Sequence, residues 1–279
     1  MIELDLIEFA DLVKPKQIVD EITSQIPDLP IPVPLEDIAA AVGINKIEYT
    51  TLDGFEGALL ADKEKTKGAI LINSNSRHHR QRFSLGHELG HYMLPRHGHK
   101  MQCGIDDLIT KESKNLSSKQ KIELEANQFS AEILMPQKHF RSYKGYNNSP
   151  SMDCLIAQAN DFDVSFEAGA QRYCRLHDEP VAVVFSLNNI VRYSCKSTEF
   201  PFWITPGKND PVPSGSSIRK ASNSPENSTY SGSALSSTWI GDDKYFLTPE
   251  DIIEEVYVMQ NGYVATMLYF EDELEEKEC

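Results

Sequence analysis

From Ser76 to Leu94 the chain contains no proline, and inside that run stands His87-Glu88-Leu89-Gly90-His91. On an α-helix two residues four apart lie one above the other on the same face. On a strand the same pair would be separated by ~13 Å. If the two imidazoles act together, the spacing therefore commits this stretch to a helix. That helix is predicted over Ser76 to Leu94, with Ser76 as its cap and Pro95 as its stop. Two neutral imidazoles so placed can hold one Zn2+ at ~2.0–2.1 Å each. Glu88 can then reach a water on the metal without displacing it. Phe83, Leu85 and Leu89 supply apolar packing, and Gly90 allows another element to approach closely.

A third protein ligand should come from a neighbouring element. The segment Ser117 to Met135 reads as a second long helix, opened by a Ser117–Gln120 capping box and ended by Pro136. Ile122, Ala126, Phe129 and Ile133 form its core stripe. Glu123 sits about a quarter turn to one side, on a flank with Asn127, Ser130 and Leu134. Glu125 lies on the opposite flank with Lys121, Gln128 and Glu132, a row that looks solvent-facing. Glu123 is thus the expected third ligand and Glu125 the alternative. Asn127 is placed either to orient a ligating histidine or as an ordinary polar residue of the helix face.

The charge is lopsided. The 279 residues carry 42 acids against 27 bases, a net charge of −15. This excludes a broad electropositive surface for nucleic acid and disfavours anionic membranes. No stretch approaches the ~20 apolar residues of a membrane span, and the opening MIELDLIEFADLVK lacks the basic start of an export signal. Residues 61–100 alone run against the trend, at +5, and hold six of the eight histidines. Taken singly, His78, His79, His97 and His99 read as a solvated basic face. The five cysteines are scattered without a C-x-x-C pair, which argues against a disulfide framework or a cysteine zinc site and for a reducing cytoplasm.

Along the chain, Leu4–Gln25 has helical spacing and the prolines at 27, 30, 32 and 34 break it. Leu35–Val42 is a short helix closed by Gly43. Continuing to Ile44, it has a faint helix-turn-helix flavour, which the local balance of −9 over residues 1–60 makes a poor fit to DNA. Glu56–Asp62 and Gly68–Asn73 read as a hairpin joined by KEKTK, with Gly68–Asn73 either an edge strand open to an extended substrate or an ordinary structural strand. Pro95–Leu116 reads as a loop, and Met152–Leu176 as helical. Beyond Pro180, VAVVFSL, IVRYSC and YVATMLYF are strand-like. Asp210–Ser237 holds ten serines and is expected to be a flexible loop; FEDELEEKEC is an acidic tail.

The pairing of HELGH with EANQFSAEILMP some thirty residues later resembles the ImmA/IrrE family of zinc metallo-endopeptidases. The hairpin, the stretch ANDFDVSFEAGAQRYCRL and the distal VVFSLNNIVRYSCKSTEFPFWI also look like that family, so the likeness covers most of the chain. It implies an α+β fold: a zincin-like helical metallopeptidase domain with a small sheet over residues 1–178, then a β-rich, GAF/PAS-like sensor or docking domain over residues 179–279. It implies one Zn2+ per chain held by His87, His91 and Glu123, with Glu88 as the catalytic carboxylate. It further implies a helix-turn-helix repressor as protein substrate, in transcription regulation or a stress response. Gly86 stands where the family often has alanine, a change expected to be harmless.

The expected chemistry is attack of an activated water on a peptide carbonyl. The fourth metal position is left open, Glu88 acts as general base and then passes the proton to the amine. Tyr92 and His97 are near in sequence, but spacing assigns neither to oxyanion stabilisation. The alternative is a non-catalytic, zinc-stabilised module that sequesters a regulatory partner. The absence of a fourth ligand in the sequence favours the enzyme, because structural zinc sites are closed by four.

Overall fold

The computed structural model describes residues 2–108, 116–146, 148–216, 218 and 224–277. The fold is α+β, with helices and two sheets. By its contacts the chain divides into two compact units, Met1–His139 with Asp161–Ser165, and Phe140–Asn160 with Phe166–Cys279. The division at 178 follows the switch from helical to strand-like sequence. The contacts place most of the preceding helical segment with the second sheet.

In the first unit, helices α1 (Pro15–Gln25) and α2 (Leu35–Ala41) precede a four-stranded sheet. Its strands are β1 (Ile44–Thr50), β2 (Gly57–Ala61), β3 (Gly68–Asn73) and β4 (Lys100–Cys103), in the order β1-β3-β2-β4. β2 and β3 form the expected antiparallel hairpin, with Gly57 opposite Ile72 and Ala61 opposite Gly68. Two readings change here. Ile44 opens a strand rather than a second helix, which removes the helix-turn-helix. β3 is paired on both sides, parallel to β1 and antiparallel to β2, so it is not an edge. The edge beside β2 is β4, which arises in a stretch read as loop. Four residues are too few for a period-2 pattern to show.

Helix α3 (His78–Met93) carries the histidine pair. Its N-cap is Arg77 rather than Ser76, because the Ser76 hydroxyl donates to Glu56 instead. At its far end Lys65 Nζ donates to the carbonyls of His91 (2.7 Å) and Leu94 (2.9 Å), satisfying groups that the last turn leaves free. The short α4 (Ile105–Leu108) follows β4, and α5 (Ser118–Leu134) opens on the Ser117–Gln120 capping box, with both reciprocal bonds formed. Helices α3 and α5 pack closely because α3 offers glycines. A Cβ on Gly90 would stand 3.0 Å from Phe129, and one on Gly86 would stand 2.6 Å from Ser130 Oγ. An alanine at 86 would thus press on Ser130, whose hydroxyl donates to the Phe83 carbonyl at 2.7 Å.

The unit boundary falls within α6 (Gln137–Arg141). The second unit holds α7 (Met152–Asp161, apart from its last residue) and α8 (Phe166–Leu176); Asp163, at φ 53°, stands in the break between them. Its sheet is antiparallel, built from β5 (Val181–Leu187), β6 (Ile190–Lys196), β7 (Thr229–Leu235), β8 (Asp251–Val258) and β9 (Tyr263–Tyr269) in the order β6-β5-β9-β8-β7. The serine-rich segment differs from the expected loop. Thr229–Leu235 forms the edge strand β7, and Val212 and Ile218 enter the core with Phe200, Phe202 and Trp239. Serine alternation suits a half-exposed edge strand; 217 and 219–223 lie outside the described residues. In the acidic tail, Lys277 N donates to Tyr245 O and Leu247 N to Glu275 O.

Candidate metal centre

One turn of α3 buries His87, Glu88 and His91 completely, and α5 brings Glu123 to them at 1% exposure. His87 Nε2 lies 3.0 Å from His91 Nε2. Glu123 Oε2 lies 3.2 Å from the first and 3.3 Å from the second. A tetrahedral cation bonded at ~2.0–2.1 Å needs donor atoms about 3.3 Å apart, so these three are already at metal-binding separation.

A fourth donor joins them. Cys103 Sγ, fully buried at the end of β4, lies 3.4 Å from His91 Nε2 and 3.8 Å from Glu123 Oε2. All four ligand atoms fall within 4.8 Å of one another. The cysteines, scattered and without a C-x-x-C pair, give no sign of a metal ligand in sequence; topology delivers one. β4 pairs Cys103 with Gly57 across the sheet, and the Cys103 carbonyl accepts from Glu56 N at 2.8 Å.

The surroundings also hold the histidines in place. His87 Nδ1 is 2.9 Å from Asn127 Oδ1, and the Asn127 amide donates to the Asp107 carbonyl. His91 Nδ1 meets His97 Nδ1 at 2.8 Å, and His97 Nε2 meets Glu125 Oε2 at 3.0 Å. His97 is therefore buried in a relay and is not part of a solvated face. Glu125 belongs to that relay, two positions from Glu123, and does not reach the imidazoles of the pair. Tyr92 turns away: its hydroxyl stands where a Cβ on Gly43 would be 2.9 Å off. His78 and His79 instead meet Asp163, at 2.7 and 3.3 Å.

The electrostatics point to a missing positive charge. Burial pushes the Glu88 carboxyl up to about 8; a hydrogen bond with the Cys103 thiol opposes it, and the charges of Glu123 and Asp107 add to it. Burial likewise drives His91 down to about 4, so its ring is neutral and free to ligate. Burial alone would raise Glu123, but the hydrogen bonds to His87 and His91 outweigh it and hold the carboxyl below the usual range. Burial, with Glu88 and Glu123 near, raises the Cys103 thiol. Oε1 of Glu123 is buried without a hydrogen-bond partner, and the buried Glu88 carboxyl is met by no donor stronger than the Cys103 thiol. Buried carboxyl oxygens without strong donors, beside the neutral ring of His91, are costly unless a cation joins them. The donor set and its unmet charge fit a metal ion.

Residues 44–173 match the family model described as IrrE N-terminal-like domain, Peptidase_M78. This stretch, a little under half of the chain, is similar to the ImmA/IrrE family domain. The match takes in every strand of the first sheet, both site helices and α8 as far as Tyr173, so the metallopeptidase family domain contains the whole cluster. A solved structure of a Mycobacterium tuberculosis transcriptional regulator shares the fold at a TM-score of 0.51 and 11% identity, over 91% of this chain and 75% of that one. No curated protein matches the chain. Among the described residues, no helix is long and apolar enough to cross a membrane.

Proposed function

We propose that this chain is a zinc-dependent endopeptidase of the cytoplasm that cuts a regulatory protein, a helix-turn-helix repressor by family resemblance, with His87, His91 and Glu123 as ligands. The observation that carries the reading is the fully buried Glu88 carboxyl, met only by the weak Cys103 thiol donor, beside three donors at metal-binding separation. The bound ion supplies Lewis acidity, lowering the pKa of water toward ~7 and polarising a peptide carbonyl. Glu88 accepts the proton of the attacking water and hands it to the departing amine. Asn127 and the His97–Glu125 pair hold the two rings by their Nδ1 atoms, leaving both Nε2 atoms turned toward Glu123. Gly57 makes room for the base, because a Cβ there would stand 2.7 Å from Glu88 Oε1.

The zincin-like arrangement of the first domain and the GAF/PAS-like character of the second belong to the same proposal. They are supported by helices α3 and α5 on a small mixed sheet and by a five-stranded antiparallel sheet. The peptidase domain extends to about residue 178, close to the end of the matched stretch, and residues 179–279 serve a sensor or docking role. The fold neighbour described as a transcriptional regulator is in keeping with a part in transcription; the repressor substrate rests on the family. In the Glu88→Gln protein zinc stays bound while cleavage of a candidate repressor falls roughly a hundred- to ten-thousand-fold. Undiminished proteolysis would remove Glu88 from the mechanism.

A second reading has its own observation. Cys103 supplies the fourth donor whose absence argued for an open site, and a four-ligand zinc is the closed, structural kind. In that case the chain sequesters its partner, and Glu88→Gln protein neutralises the repressor without producing fragments.

A further inference from the structure

Cys103 does more than complete a donor set. It ends β4, an edge strand that runs antiparallel along β2 from Lys100 opposite Leu60 to Cys103 opposite Gly57. An extended peptide that reaches β2 by main-chain pairing has to take the place of β4, which fills that edge. It would also bring a backbone group to the place where the thiol now sits, over the residue against which Glu88 packs. Gly98 and Gly104 flank the strand. One short segment thus covers both things a peptide substrate needs, the strand edge and the fourth corner of the metal.

The geometry points to Cys103 as a fourth metal ligand, and to β4 as a built-in competitor that must leave before water and substrate enter. The inference rests on the metallopeptidase reading and deepens it. The thiol coordinates as thiolate, its proton passing to solvent when the ion binds. On release the sulfur takes up a proton again and water fills the corner, so no oxidant or reductant is needed. The two readings of the site then become two states of one site: closed while β4 is seated, hydrolytic once it is displaced.

The test begins with X-ray absorption on the zinc-loaded full chain. The expected spectrum has one sulfur neighbour at ~2.3 Å together with nitrogen and oxygen neighbours at ~2.0–2.1 Å. In Cys103→Ser the sulfur contribution disappears while the others remain. Zinc held by nitrogen and oxygen alone in the wild-type chain would overturn the role of Cys103 and leave the peptidase reading standing. A chain that binds no zinc would sink both. The second arm uses Cys103→Ala and fluorescently labelled casein as an unfolded probe. Its turnover should exceed that of the wild-type chain by about tenfold or more, with Cys103→Ala/Glu88→Gln inactive. Equal turnover in the two chains, with the sulfur neighbour present in wild type, would overturn the competitor role of β4.

Discussion

Two glutamates among the described residues are fully buried, and the difference between their settings is instructive. In the second unit Glu254, on β8, accepts the indole N–H of buried Trp239 through Oε1. In the first unit Glu88, equally buried, has no donor stronger than the Cys103 thiol. A buried carboxyl that the fold has answered is part of the packing. One that the fold leaves unanswered holds free energy that only something from outside can recover. Glu123 stands between the two, with Oε2 shared by two imidazoles and Oε1 unpartnered.

The sharpest way to press on that contrast is Glu123→Gln. It keeps the volume and removes the negative charge. We expect zinc affinity to fall by more than the ~10–100-fold that an outer hydrogen-bond partner is worth, measured by competition with a chromophoric chelator. An affinity within tenfold of wild type would show that Glu123 is not a ligand. The converse change is Trp239→Phe in the second unit, which takes the indole donor away from the buried Glu254 carboxyl. It should cost about 1–3 kcal/mol for the lost partner, plus a small cavity term, in urea unfolding, with zinc affinity unchanged. No loss of stability would mean that Trp239 does not satisfy Glu254.

How much of this was legible depends on how local each signal is. The His87–His91 pair and the Ser117–Gln120 capping box are read at three- and four-residue spacing, and helices α3 and α5 come with them. Glu123 is reachable because the core stripe of α5 fixes which flank faces α3. Cys103 was not reachable. It arrives on a four-residue strand whose existence depends on pairing with β2, a partner some forty positions earlier. His97 was misplaced for a similar reason, since nothing in its neighbours announces that Glu125 would meet it. In the second unit β7 hides in serine-rich sequence because an edge strand has one side to bury and little of it. The central strands β5 and β9 announce themselves by apolar runs.

The last test separates the two glutamates by pH, using chelator-treated protein. Glu88 is raised from its ordinary value near 4.5 to about 8, so between those values the folded state holds a proton that the unfolded chain has lost. Stability from this group is complete below 4.5 and is lost as pH climbs through 8, at up to about 1.4 kcal/mol per pH unit. His91, lowered from 6.5 to about 4, contributes the opposite slope between those two values. Near pH 5 to 6 the two therefore oppose each other, and above 6.5 only Glu88 of the two still acts. From pH 6.5 to 8 the wild-type chain should lose stability steadily relative to Glu88→Gln, the contribution of Lys65, which burial lowers to about 8, being common to both. Parallel curves for the two proteins would mean that the Glu88 carboxyl is answered after all, and that its contrast with Glu254 is only apparent.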